Sequence, residues 1–283
     1  MVEAIVAERI GGTFNHLKNS GIFDDVARRV GEVGVAAALR EELEAAGIFI
    51  HTHNQTPGWE TTTQPAIAIG DHSKGLESLL LVGACGVTKR NDLGITAKPY
   101  APTGQLINAI SEPGEYLLPL IPTSVATDRQ DGDFRSKVHR RIFGKYLLTK
   151  AETQTFNKTT MQNAASMLED EGRLVSIFPT GGVYDATKAP WRNGVGYIAA
   201  ELSRDAFDGT AVLPFKFGEF SPRRVLSAMI KNRLGIKASK QQHIDIFLGE
   251  PETLGSLFPK DDDRLPTNIT QVLQQRYQQE FAE

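Results

Sequence analysis

The sequence predicts an α/β protein, with a mostly parallel or mixed central sheet flanked by helices and an N-terminal helical extension. Three observations predict it. Short, continuously apolar runs of strand length recur, as in residues 66–70 (AIAIG) and 174–178 (LVSIF). Stretches with helical periodicity lie between such runs, the alternation that builds α/β sheets. The first fifty residues read as helices.

Taken in order, residues 23–43 set Val26, Val30, Val33, Ala37 and Leu43 among Arg28, Arg29, Glu32, Arg40 and Glu41, close to a 3.6-residue period. Residues 51–64 are polar and Thr-rich, which predicts a loop. Residues 66–70 predict a buried strand, followed by a polar turn and a helix. Residues 116–125 predict a strand broken by Pro119 and Pro122. A helix over 161–171 stops at Gly172, a residue suited to the left-handed helix stop. A strand over 174–178, a helix over 194–202 and strands over 211–217 and 243–248 follow, and a last helix covers 267–281. No internal repeat is present. The division expected is a helical extension over 1–60 and an α/β domain over 61–283.

Lys plus Arg number 31 and Asp plus Glu 34, a net charge of −3, which argues against a polycationic nucleic-acid binder. The single Cys85 excludes an intramolecular disulfide framework and a multi-cysteine metal site. Residues 79–87 form the longest strongly apolar stretch, about half of the roughly 20 residues a bilayer span needs. Charged Glu3, Glu8 and Arg9 leave the N-terminus without a signal peptide's apolar core. The expectation is a cytoplasmic protein, peripheral on a membrane if it meets one.

Two stretches carry candidate chemistry. In Asp71-His72-Ser73-Lys74-Gly75-Leu76-Glu77, a strand end presents His72 just before a helix. Five helical steps of 100° would separate His72 from Glu77, but a ring just outside the first turn can fold back to the carboxylate. A carboxylate on one imidazole nitrogen makes the other a better base. The alternative is a His that caps a helix beside a solvated surface acid. In Phe178-Pro179-Thr180-Gly181-Gly182-Val183, a strand runs into a turn whose glycines let backbone amides approach an anion or oxyanion. It lacks the Lys and Ser/Thr ending of a P-loop.

Together with Arg192-Asn193-Gly194 and Leu213-Pro214, these motifs resemble, in order and spacing, the glycerolipid acyltransferase superfamily of glycerol-3-phosphate and lysophosphatidic acid acyltransferases. His72 and Glu77 match its first motif, a His and an acid separated by four residues. Gly144 with Lys150 resembles the second, with Lys150 in place of Arg. Thr180 and Val183 stand where the third has Glu and Arg. The resemblance covers roughly residues 64–219. It implies His72 as general base, Glu77 as its orienting acid, and Lys150, Thr180, Gly181, Gly182 and Arg192 as binders of a phosphorylated acceptor. It also implies an acyl-CoA or acyl-ACP thioester as co-substrate, with no cofactor and no metal. The acceptor implied is glycerol 3-phosphate or a lysophospholipid. A different alcohol acceptor and a catalytically silent lipid-binding form are the alternatives.

Residues 129–150 and 222–240 are basic. The second carries Arg223, Arg224, Lys231, Arg233, Lys237 and Lys240, no acid, and apolar Val225, Leu226, Met229, Ile230 and Leu234. An anionic membrane surface, an acidic carrier protein or coenzyme A phosphates would fit it, as would a plain solvated helix. Cys85 is expected in the core, His51 and His53 in a polar loop, and His16, His139 and His243 without a role.

Overall fold

The computed structural model of the chain describes residues 21–53, 64–72, 74–85, 93–97, 102–111, 116–121, 126, 148–181, 185–236, 240–259 and 264–281. Helices α1 (Asp24–Val33) and α2 (Val35–Ala45) lead into strand β1 (Ile48–His53). Then come β2 (Ala66–Gly70), α3 (Glu77–Cys85), β3 (Leu93–Ala97), α4 (Pro102–Ile110) and β4 (Leu117–Pro119). The second half holds α5 (Lys150–Glu169), β5 (Leu174–Ile177), α6 (Gly194–Glu201), α7 (Arg204–Gly209) and β6 (Ala211–Phe217). It closes with α8 (Pro222–Arg233), β7 (Gln242–Leu248), β8 (Glu252–Thr253), α9 (Leu254–Leu257) and α10 (Pro266–Phe281).

The eight strands form one mixed sheet in the order β1-β7-β6-β2-β5-β3-β4, with β8 beside β6. The run from β6 to β4 is parallel, whereas β7 pairs antiparallel with β6 and parallel with β1. Helices cover both faces. Central β2 is buried on both, so it reads as an unbroken apolar run. Its alternate residues divide between the layers. Ala66 and Ala68 join a core with α1 to α4 and α8, whereas Ile67 and Ile69 join a core with α5, α6, α7, α9 and α10.

The mixed sheet with helices on both faces and at the N-terminus agrees with the sequence expectation. Several elements differ in extent. The helix expected over 23–43 is two helices, broken at Gly34, whose φ of +84° favours glycine. The loop expected from residue 51 begins as the end of β1. That strand lies within the segment assigned to the helical extension, yet forms an edge of the sheet. The helix expected from 161 begins at Lys150, behind a capping box in which Thr149 Oγ1 accepts from Glu152 N and the Glu152 carboxylate accepts from Thr149 N. Of the strand expected over 116–125, Leu117–Pro119 pairs with β3, and 122–125 lie outside the described residues.

Among the described residues, no helix is long and apolar enough to cross a membrane. Cys85 is buried in α3, in the core as expected.

Candidate active site

The parallel strands β2 and β5 end side by side, and their following turns carry His72 and Phe178 to Gly181 to one edge of the sheet. Open α/β sheets place ligands there, outside the carboxyl ends of the strands.

The turn after β2 folds around a carboxylate. Glu77, the first residue of α3, is only 1% exposed. Its Oε1 accepts from Lys74 N at 2.5 Å and its Oε2 from Gly75 N at 2.7 Å. Gly75 has φ +89°, which glycine allows and which turns its amide back to the acid. His72 Nδ1 lies 3.2 Å from Glu77 Oε2, within ion-pair reach. The nitrogen makes no directed hydrogen bond, so the contact is one of charge and proximity. Catalytic hydrogen bonds are often loose before substrate arrives. Burial pushes the Glu77 carboxyl up, but His72 and the backbone amides outweigh it and hold it below its ordinary value. Glu77 is therefore a buried anion, and the reading of it as a solvated surface acid is overturned.

The His72 ring lies against Phe178, with centroids 4.9 Å apart, and Phe178 meets Phe215 edge to face. Lys74 braces the same turn from the far side. Its Nζ donates to Gly218 O at 3.2 Å, pairs with Glu219 at 3.1 Å and lies over the Phe220 ring.

His72 opens onto a pocket of about 140 Å³, walled also by Phe178, Gly181, Ile121, Asn157 and Arg192. Arg192 is held there by its backbone and by a glycine. Its N donates to Pro179 O at 2.8 Å, and its side chain lies where a Cβ on Gly181 would fall, 2.8 Å from Cδ. Gly181 has φ +63°, so both its conformation and its close neighbour call for glycine. The loop before Arg192 is anchored by buried Asp71, whose Oδ1 accepts from Ala186 N at 3.0 Å, and by Trp191 Nε1, which donates to Ala186 O. The Arg192 guanidinium makes no ion pair among the described residues and is exposed.

The structure thus brings together His72, Glu77, Gly181 and Arg192. Thr180 sits in the same turn but is buried, 3% exposed, and does not line the pocket. Lys150, in the first turn of α5, shares a helical stripe with Asn157 and Met161 of the pocket wall but lies about 10 Å along the axis from Asn157. Gly182 lies outside the described residues, as do Gly144 and most of the basic stretch 129–150. The Gly181 amide, expected as an oxyanion donor, already donates to Phe178 O at 3.0 Å, because the turn closes on itself.

Asn157 is the wall residue that sequence reasoning missed. Its side chain mimics a strand partner, accepting from Ile121 N at 2.9 Å and donating to Ile121 O at 2.7 Å, and so satisfies backbone that would otherwise face the pocket. An Asn amid a polar helix carries no sequence signal for that task.

The remaining described histidines lie on the β1–β7 edge, in strands and not in a loop. His51 Nε2 meets His243 Nδ1 at 2.8 Å and His53 Nε2 meets Asp245 Oδ1 at 2.6 Å, so His243 has a partner that the sequence did not predict. His16 and His139 lie outside the described residues.

No family model matches the chain, and no curated protein matches it. The resemblance to the glycerolipid acyltransferases therefore rests on the motifs quoted above.

Proposed function

We propose that the protein is an acyltransferase that moves a fatty acyl group from an acyl-CoA or acyl-ACP thioester to a hydroxyl of glycerol 3-phosphate or a lysophospholipid. The observation that carries this reading is His72 set 3.2 Å from a buried, ionised Glu77, at a strand end that opens onto a pocket with an unpaired arginine. With Nδ1 facing the acid, Nε2 is the nitrogen left to take the acceptor hydroxyl's proton. The alkoxide oxygen attacks the thioester carbonyl, the C–S bond breaks, and the departing thiolate takes the proton back from His72. Glu77 stabilises the imidazolium between those two transfers. Arg192 would hold a phosphate, and Phe178, Ile121 and Met161 offer apolar surface to the acyl chain. The thioester is a co-substrate and the chemistry needs no cofactor or metal. The reading places the enzyme in the cytoplasm, acting on lipid precursors.

A second reading keeps the chemistry and changes the alcohol. It is favoured by the buried Thr180 and the distant Lys150, which leave Arg192 as the arginine or lysine that lines the pocket among the described residues. Thiol release from acyl thioesters across glycerol phosphates, lysophospholipids and simple alcohols tests both. Acceptor-dependent release should fall about 10²–10⁴-fold in His72→Ala. Release unchanged in the variant overturns His72 as base. Saturable binding without turnover in the wild type assigns the chain to a silent lipid-binding form.

A further inference from the structure

We propose that the outer face of α8 docks the protein on an anionic lipid bilayer. Val225, Ala228 and Met229 fix the inner side of the helix in the core. The opposite stripe runs Arg223, Ser227, Ile230, Lys231 and Leu234, spaced by three and four residues. It is exposed where a soluble helix would be polar. Ile230 is 59% exposed, Leu234 69% and Ile236 51%. Ile22, 51% exposed, stands beside them, since its carbonyl accepts from Arg233 Nη1 at 3.4 Å. Single exposed aliphatic side chains are ordinary, but four gathered at one helix end mark a contact surface.

The helix stop holds that end in shape. Gly235 has φ +69°, Gly235 N donates to Asn232 O and Ile236 N to Lys231 O, the paired bonds of a Schellman stop. Such a stop commonly folds the residue after the glycine back beside the last turn, here Ile236 towards Ile230.

Charge supplies the choice of occupant. Arg223, Arg224, Lys231 and Lys240 are exposed and make no ion pair among the described residues. Residues 220–236 contain no acid. Of the neighbouring acids, Asp25 and Glu42 are committed to Arg233, Glu219 to Lys74, and Asp24 alone is exposed beside Ile22. Branched aliphatic side chains ringed by cations match the acyl boundary and headgroup charge of an anionic membrane. They lack the aromatic anchors that dominate protein hot spots. With about 18 Å of length, α8 would lie in the membrane plane. The turn after β6 links it to the candidate site, because Gly218 and Glu219 hold Lys74 next to His72.

The inference stands on exposure and charge and does not need the acyltransferase reading. Its test is co-sedimentation of the full chain with vesicles of phosphatidylcholine alone and with about one third phosphatidylglycerol. The wild type should bind the anionic vesicles, weakly bind the neutral ones, and release in high salt. Leu234→Ser with Ile236→Ser should weaken binding to anionic vesicles by about tenfold or more. Arg223→Gln, Arg224→Gln and Lys231→Gln combined should weaken it about 100-fold. Both variants should melt like the wild type, because the changed side chains are exposed. Thiol release with a water-soluble acceptor should also be unchanged in them, which separates failure of docking from failure of catalysis. Equal binding to both vesicle types, wild-type binding by the variants, or capture by an acidic carrier protein without vesicle binding would overturn the proposal.

Discussion

Glu77 is where stability and chemistry meet in a single side chain. Its carboxylate is buried, accepts two backbone N–H groups, and is held below its ordinary range of about 4.5. A carboxyl depressed in the folded state stabilises the fold once it is ionised, so the contribution is complete above about pH 4.5 and is lost as pH falls through the lower folded value. Glu77→Gln should remove that dependence. At neutral pH the amide turns a donor towards the Lys74 or Gly75 N–H and should cost about 1–3 kcal/mol. The gap from wild type should shrink as pH drops below 4.5. Urea melts at pH 7 and pH 4 read this, and parallel stability–pH curves for the two proteins would refute it. In the same variant, thiol release should drop about 10²-fold or more, since His72 loses the charge that stabilises its imidazolium.

At the scale of elements, close approach decides what the helices tolerate. Gly196 of α6 is buried against the start of α10, and a Cβ there would sit 1.9 Å from Pro266 O and 2.6 Å from Thr270 Oγ1. The obstruction is backbone, which cannot rotate away. Gly196→Ala should therefore cost about 3 kcal/mol and lower Tm by about 6–12 °C, measured by thermal melts. A melt within about 2 °C of wild type would show that α6 and α10 separate at little cost. Element boundaries follow the same local logic. The start of α5 is legible as Thr149-Lys150-Ala151-Glu152, a capping-box pattern. Reading it from Met161 missed that start because the first half of α5 is polar and Thr-rich, with little apolar period to follow.

Across the whole molecule, Arg233 ties three helices. From α8 it donates to Asp25 of α1 at 2.6 Å and through Nε to Glu42 of α2 at 2.9 Å, with a second bond to Glu42 from Nη2. Glu42 is 7% exposed, so removing the guanidinium leaves a buried, unpaired carboxylate. Arg233→Gln should cost about 3–5 kcal/mol, seen as a Tm lower by about 6–20 °C. Adding Glu42→Gln should return part of the loss, because the stranded charge is then gone. A double variant no more stable than the single would show that packing and not charge is responsible.

The sequence by itself determined the class of fold, the central strand β2, the strand β6 over 211–217, and the pairing of His72 with an acid five residues on. Each is written in local pattern: an unbroken apolar run, a strand-length run, or a spacing within one turn. Tertiary structure alone decided the rest. The strand β1 exists because Ile48–His53 finds β7 nearly two hundred residues away, a pairing with no local signature. Asn157 and Ile121 wall the pocket because α5 crosses the end of β4, and Arg192 reaches it because Gly181 leaves room. Thr180 was read as a ligand-facing residue, yet the turn points it inward. Which side of a turn faces a pocket depends on backbone packing from distant elements, and that information is spread along the chain and is not held in any one motif.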